Sequence, residues 1–262
     1  MKKYLTLFRI NWQNSLQYRA STVIYIVGYG LYISVILYLW MSVYQAGNKM
    51  GDYTLTDLLT YYLLQLVVNI LILSYISWEL IDQIREGFFS NFLIKPLNLL
   101  VYWFTVNLSG KLLETIYLSM VGVVLYFFMR DYFWLPHHFS TFIYFGGSLF
   151  LAMTLAFLMD FCIALIAFWL IQVRVFKFML LYLVFFFSGA ILPLDLFPQW
   201  LQKGVHLLPF QYLAYVPIRI FLEKQENLSP VFTIELFWLL FFFALASWML
   251  SRGVKRYEAV GG

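Results

Sequence analysis

Charged residues are scarce in this chain of 262 residues: only 11% are Asp, Glu, Lys or Arg, whereas 63% are hydrophobic and 22% aromatic. A soluble globular domain carries about 25% charged residues, so this composition excludes that class and indicates a polytopic membrane protein. Cysteine is almost absent as well. Cys162 is alone in an apolar segment, which excludes an internal disulfide and leaves packing as its expected role.

Two kinds of chemical site are also missing. There is no GxxxxGK[ST] loop, because Gly110-Lys111 is followed by Leu112 and has no glycine five residues earlier. Any ATP that drives this protein must therefore bind to another chain. His137 and His138 are adjacent and His206 is distant, a spacing that does not favour metal ligation. We expect no metal, no cofactor bound by this chain and no enzyme activity.

Six apolar runs are long enough to cross a membrane, which predicts an all-α integral membrane fold with six transmembrane helices in one domain over residues 1–262. The fourth run is too long for one upright helix, so it tilts, projects from the bilayer or breaks near Gly146-Gly147. The runs cover residues 22–45, 57–80, 107–129, 141–171, 175–192 and 231–251.

The distribution of Lys and Arg predicts the orientation. An even number of spans places both termini on one side, and twelve of the 17 basic residues fall on that same side. The termini are therefore predicted to be cytoplasmic. No cleavable signal peptide is expected, because the first apolar run is long and begins only near Thr22. The expected location is the inner membrane of a prokaryotic cell. The net charge of +4 is explained by the basic residues of these loops, which would lie near anionic lipid headgroups. It therefore does not indicate a nucleic-acid partner. The twelve are Lys2, Lys3, Arg9, Arg19, Arg85, Lys95, Lys111, Arg174, Lys177, Arg252, Lys255 and Arg256.

Two segments outside the spans have apolar faces. In residues 1–20, Leu5, Phe8 and Trp12 share one face of a predicted amphipathic helix, which either anchors in lipid headgroups or touches a partner subunit. In residues 82–98, a stripe containing Ile84, Phe88 and Phe92 precedes a turn at Pro96. An apolar stripe on a cytoplasmic loop indicates a docked protein, or alternatively a lipid surface.

Prolines break the hydrophobic segment at residues 193–222: Pro193, Pro198, Pro209 and Pro217 all lie in it. A helix of about 11 residues after Pro198 is too short to span the bilayer, so it dips in and returns. A second short helix at about 210–222 would complete a re-entrant hairpin. Broken backbone at membrane depth must be sheltered by protein or line a cavity. The alternative is an amphipathic loop on the bilayer surface.

Four of the ionisable residues inside or at the ends of the predicted spans are candidates for a role in the membrane: Glu79, Lys111, Glu114 and Asp160. Lys111 and Glu114 are three residues apart on one helix and are predicted to pair, while Glu79 is predicted to reach water at a helix end. Asp160 has no cation within a helical turn. It needs a hydrogen-bond partner on another helix, or a proton and a role in a cytoplasm-facing cavity.

The chain resembles the membrane subunits of ATP-binding-cassette (ABC) exporters of the second type, with the type V fold. One motif is Ser188-Gly-Ala-Ile-Leu-Pro-Leu-Asp-Leu-Phe-Pro-Gln-Trp-Leu201, followed by Leu208-Pro-Phe-Gln-Tyr212 and Tyr215-Val-Pro217. These segments are similar to the family's span five and external gate helices. The other is Gly87-Phe-Phe-Ser-Asn-Phe-Leu-Ile-Lys-Pro-Leu-Asn98, which resembles a branch with a Lys/Arg-Pro-Leu signature after span two.

The resemblance implies a half-transporter. Two permease subunits, the same or different, would form the pathway, and two cytoplasmic ABC ATPase subunits, carrying ATP and Mg, would engage a coupling helix after span two. The implied ATPase contacts are Arg85, Glu86, Gly87, Phe88, Phe89, Phe92, Lys95 and Pro96. The implied external gate residues are Pro193, Phe197, Pro198, Trp200, Pro209, Phe210 and Pro217.

Aromatic residues on spans one and five, together with Asp160, are the predicted pathway or interface residues. In this family, those two spans approach the dimer interface, although packing alone would also explain so many rings. The residues are Tyr25, Tyr29, Asp160, Phe185 and Phe187. The alternatives to a permease are a monomeric secondary transporter, for which more spans and internal repeats are expected, and a lipid-modifying membrane enzyme, which needs an Asp or His cluster.

Overall fold

Helices dominate the fold. The structure is a computed structural model that describes residues 2–17, 19–47, 50–129 and 133–257. It is 78% helix, with no strand in those ranges. The helices are α1 (Lys2–Gln17), α2 (Arg19–Gln45), α3 (Leu55–Ile72), α4 (Ile76–Arg85), α5 (Ser90–Leu93), α6 (Leu99–Met129), α7 (Phe139–Leu165), α8 (Arg174–Phe187), α9 (Gln199–Val205), α10 (Tyr215–Phe221) and α11 (Leu228–Arg256).

Three helical stretches of the described chain are long and apolar enough to cross a membrane: Leu55–Arg85, Phe139–Phe168 and Leu228–Arg256. A shorter apolar stretch covers Gly30–Gln45. These three stretches coincide with the second, fourth and sixth predicted runs, so the membrane class is confirmed. The complete six-span topology stays a prediction.

The structure differs from the predicted spans in three places. Helix α7 runs unbroken through Gly146 and Gly147, so the predicted alternative of a break there is wrong. The second span is interrupted instead, because α3 ends at Ile72 and α4 begins only at Ile76. Helix α8 has 14 residues, about 21 Å, and is shorter than the predicted run over 175–192.

Helix α8 stops early because of backbone geometry at Gly189, whose φ is +85°. A Cβ at this position would lie 2.6 Å from the hydroxyl oxygen of Tyr61, so only glycine fits. The Tyr61 hydroxyl donates to the Gly189 carbonyl at 2.7 Å, and the Tyr62 hydroxyl donates to the Ile191 carbonyl at 2.7 Å. The carbonyls that follow the end of α8 therefore accept hydrogen bonds from two tyrosine side chains of α3.

The proline-rich segment forms a compact hairpin of short helices. A 3-10 turn at Leu194–Leu196 precedes α9, and a second one at Pro209–Leu213 precedes α10. Pro198 caps α9, close to its predicted first-turn position, but α9 has 7 residues rather than about 11. Pro193, Pro209 and Pro217 are buried. We refer to residues 193–222 as the hairpin.

Two hydrophobic clusters form the core. The larger one joins α3 and the hairpin with parts of α2 and α7, and includes Leu58, Leu155 and Ile218. The smaller one joins α4, the end of α7 and part of α11 around Phe161 and Trp103. The helix break after Ile72 lies where the first cluster gives way to the second.

Candidate functional site

An apolar cavity of about 770 Å³ lies between α2, α3, α8 and the start of α10, with part of the hairpin as one wall. This volume is within the range of sites that hold drug-sized ligands. Its described lining consists of Ile24, Gly28, Tyr32, Gln65, Val68, Asn69, Ile72, Leu73, Phe178, Leu181, Tyr182, Val184, Phe185, Ser188, Ala190, Leu213 and Ala214.

No charged side chain is among these described lining residues. Polarity comes instead from the amides of Gln65 and Asn69 and from the hydroxyls of Tyr32, Tyr182 and Ser188. A fully charged small molecule would lose its hydration in such a cavity without gaining an ionic partner. The chemistry of the lining suits an apolar or amphiphilic molecule with a few hydrogen-bonding groups.

The predicted pathway residues take different positions. Phe185 lines the cavity, as does Tyr32 on α2. Phe187 turns away and packs against Phe210, with ring centroids 6.3 Å apart. The side chains of Tyr25 and Tyr29 lie outside the described part of the structure.

A buried ion pair lies beside the cavity, at the break between α3 and α4. The ammonium of Lys177, on α8, lies 2.5 Å from Oδ1 of Asp160, on α7, and both side chains are 2% exposed. Lys177 also donates to the Ser74 carbonyl at 2.8 Å, while Asp160 Oδ2 accepts from the Ser77 N–H at 3.1 Å. The pair therefore satisfies backbone groups on both sides of the break.

Lys111, on α6, supports the same break from another side. Its ammonium donates to the Ile70 carbonyl at 2.6 Å and pairs with Glu114 at 2.7 Å, which confirms the predicted pair. Hydrocarbon offers no hydrogen-bond partners, so broken backbone at this depth needs such side chains. Neither the break nor the two lysines that donate to its carbonyls were predicted from the sequence.

These contacts settle part of the prediction for Asp160. Its interhelical partner is Lys177, which is buried in the helix bundle. Asp160 and Lys177 also line a small cavity of about 30 Å³. Leu73 and Leu181 belong to both cavities, so the ion pair borders the wall of the larger one.

A polar cluster centred on Asp195 fastens the hairpin to the start of α3. Asp195 accepts from the hydroxyls of Tyr53, at 2.7 Å, and Tyr215, and pairs with Arg219 at 3.0 Å. Burial, followed by the hydrogen bond to Asp195, raises the pKa of Tyr215 well above its ordinary value, so the phenol remains a donor at neutral pH. This end of the hairpin is held by several simultaneous contacts.

The predicted gate residues do not form one surface. Phe210 is buried and Phe197 half-buried, both against the larger core cluster. Pro198 and Trp200 are exposed, and Trp200 keeps 75% of its surface. The prolines divide in the same way, since Pro193, Pro209 and Pro217 are structural members of the core.

The loop between α4 and α6 carries the residues predicted to contact an ATPase. Arg85, Glu86, Phe88, Lys95 and Pro96 are exposed, whereas Gly87 and Phe92 are half-buried. Leu93 and Ile94, which were not among the predicted contacts, are exposed by 44% and 82%.

Phe89 was predicted to contact the ATPase, but it does not lie on the exposed surface of the loop. Its side chain is fully buried, with its ring 5.1 Å from Phe168 and 5.2 Å from Tyr257. Ile84 is buried as well, so the predicted single stripe is wrong: its members point in opposite directions because the helix is interrupted after Arg85. The N-terminal helix lies beside this loop, where Tyr4 Oη accepts from the Asn98 N–H at 3.0 Å.

Taken over the described residues, no group of three or more His, Cys, Asp or Glu side chains could hold a metal ion. One further carboxylate, Glu235 on α11, is fully buried although sequence reasoning passed over it. The signal for it in the sequence was the presence of a carboxylate inside the predicted apolar run 231–251.

The fold and site define an integral membrane protein with an uncharged cavity among its helices and a broken span at the cavity wall. A family model described as ABC-2 family transporter protein matches residues 30–261, and the chain belongs to that family. It is thus a permease component of an ABC transporter and not itself the catalytic subunit. No curated protein matched the chain.

Proposed function

We propose that this chain is the permease subunit of an ATP-driven ABC exporter in the cytoplasmic membrane and forms half of the translocation pathway. The uncharged cavity is the observation that carries this proposal. It lies between helices that also present large exposed apolar faces, among them Val35 and Tyr38 on α2 and Tyr182 on α8. A second permease, the same or different, would cover those faces and complete the pathway.

The cargo of this pathway would be apolar or amphiphilic. In the proposed topology the six spans leave both termini in the cytoplasm, and the hairpin lies at the external side as a gate above the cavity. Family membership and the distribution of basic residues support this orientation.

Coupling to a cytoplasmic ATPase would begin at the loop formed by α5 and its flanking turns. Phe88, Leu93 and Ile94 expose apolar surface there, beside the basic side chain of Lys95. Exposed apolar clusters of this kind mark protein contacts. ATP and Mg would be bound by two ATPase subunits, one for each permease.

The route from that loop to the cavity is short. Movement of α4 would reach the break at Ser74 and Ser77, and through them the Asp160–Lys177 pair on α7 and α8. Helix α8 lines the cavity, so a displacement of α4 would alter its shape. The break supplies a place where the second span can bend without losing regular backbone hydrogen bonds.

Co-purification tests this proposal. The tagged chain, extracted from its native membranes in mild detergent, should carry an ATPase with a phosphate-binding loop in about a one-to-one ratio, as measured by mass spectrometry. The same experiment identifies any second permease. A stable monomer without ATPase, under conditions that preserve other ABC complexes, would overturn the assignment and favour a secondary transporter.

A further inference from the structure

We propose that Glu235 is a proton-binding site: its carboxyl carries a proton while the hairpin is packed on α11 and releases it when the two separate. This inference goes beyond the permease assignment and does not depend on the identity of the cargo or the ATPase.

Burial is the first observation. Glu235 lies in α11, two turns after the helix begins, and its relative exposure is 0%. Neither carboxylate oxygen has a hydrogen-bond partner in the described part of the chain. An ionised carboxylate without water, cation or donor would cost far more than a neutral acid. Buried ionisable groups of this kind in membrane segments are usually functional.

The buried pair near the other end of α7 provides a comparison inside the same protein. Asp160 is buried to a similar degree but has a cation and a backbone N–H at hydrogen-bond distance. Its carboxylate therefore has both a charge partner and a hydrogen-bond donor. Glu235 lacks both, and the simplest compensation open to it is a proton.

The surroundings of Glu235 contain few titratable groups. Tyr212 of the hairpin is 3% exposed, and the 3-10 turn that carries it contacts α11. On α7, Tyr144 packs near Phe232 with ring centroids 6.4 Å apart. Ser148, one turn further along α7, is level with Glu235 by register, and its hydroxyl is buried without a partner in the described structure.

No cation faces this position from the described elements packed around it. On α11 itself, Arg252 is 17 residues away, about 25 Å along the helix. In the hairpin and the segment after it, Lys203 is exposed on α9, while Arg219 and Lys224 are engaged by Asp195 and Asp57. On α8, Lys177 is engaged by Asp160. Glu235, on α11, therefore lies between α7 and the hairpin, in surroundings that favour its neutral form.

The consequence is a contact that depends on pH. The neutral acid is compatible with the hairpin packed on α11, whereas an ionised one requires water and hence separation of the hairpin from α11. Opening that releases one proton should become about tenfold more favourable for each pH unit, over the range in which the closed state is protonated and the open state ionised.

Infrared spectroscopy tests the first half of the proposal. The full chain in its native complex should show at pH 7 the C=O stretching band of a neutral carboxylic acid, which Glu235→Gln lacks. Glu226→Gln is the matched control, because it removes an exposed carboxyl nine residues earlier in the chain. Glu235→Met serves for the same comparison if the Gln variant does not accumulate. Identical spectra for wild type and both Glu235 variants would overturn the proposal.

Hydrogen exchange tests the second half. Protection of the amides in residues 209–215, corrected for intrinsic exchange rates, should fall as pH rises in the wild type and in Glu226→Gln. In Glu235→Gln the protection should be independent of pH. A pH dependence retained in Glu235→Gln would show that Glu235 does not control the hairpin. Failure of either test leaves the co-purification result untouched, so this proposal and the permease assignment can fail separately.

Discussion

The Asp160–Lys177 pair shows at the scale of single residues how charge is tolerated inside this protein. Each partner is 2% exposed and each also binds backbone at the break between α3 and α4. A buried pair of this sort adds little net stability over an apolar pair of equal volume, but breaking it leaves an uncompensated charge.

We expect Asp160→Asn and Lys177→Met to destabilise the protein by about 3–5 kcal/mol each, because each leaves one buried charge unpaired. The double variant Asp160→Leu/Lys177→Met should recover much of that loss. Thermal unfolding of the purified protein in detergent measures the effect. Single variants as stable as the wild type, or a double variant no better than the singles, would contradict this account.

Gly189 is the second residue whose role can be tested alone. Its φ of +85° and the 2.6 Å approach of the Tyr61 hydroxyl to an added Cβ predict that Gly189→Ala is destabilising, by about 1–3 kcal/mol from backbone strain before the clash is counted. Gly204→Ala is the control, since Gly204 is helical and a Cβ there meets nothing within 4 Å. Equal unfolding temperatures for both variants would argue against the strained turn.

At the scale of elements, the loop between α4 and α6 has an exposed outer surface and a buried inner side. Phe88 and Ile94 are exposed by 57% and 82%, whereas Phe89 is fully buried between Phe168 and Tyr257. The family resemblance placed Phe88 and Phe89 in the same set of partner contacts. The turn after α4 decides which ring faces outward, and a two-residue pattern cannot specify that choice.

This division predicts two different phenotypes. Phe88→Asp/Ile94→Asp should reduce co-purification of the ATPase at unchanged thermal stability of the permease. Phe89→Asp should instead lower stability by several kcal/mol, because it buries a charge. Phe139→Asp, at a phenylalanine exposed by 80% at the start of α7, is the control and should retain the ATPase. Retention of the ATPase by the Phe88/Ile94 variant would count against the docking surface.

At the scale of the whole molecule, the cavity is built from parts that are far apart in the chain. Helices α2, α3 and α8 and the 3-10 turn before α10 all contribute to its lining. Two glycines on α2 allow the cavity to be filled selectively. A Cβ at either Gly28 or Gly30 meets nothing within 4 Å, but only Gly28 lines the cavity in the described structure.

We therefore expect Gly28→Phe to lower the transport-coupled ATPase activity of the reconstituted complex several-fold, because the ring occupies space needed by the cargo. Gly30→Phe adds the same ring two residues away and should retain most of the activity. Stimulation of ATPase activity by added amphiphiles in proteoliposomes gives the readout. Equal activities in the two variants would exclude the cavity from the pathway.

The membrane class, the three confirmed spans, the Lys111–Glu114 pair and the hairpin prolines could all be predicted from the chain alone. These features are local: apolar run length, spacing on one helix and the missing N–H of proline act within a few residues. The need for a partner at Asp160 was predictable in the same way, because burial of a charge has a known cost.

The tertiary structure alone decided which partner each group finds. Lys177 joins Asp160 across two helices, α3 breaks after Ile72 where three side chains from other helices satisfy its backbone, and Glu235 is left without a partner beneath the hairpin. None of these outcomes follows from spacing along one helix. They depend on how the helices pack, and packing is determined by contacts between residues that are distant in sequence.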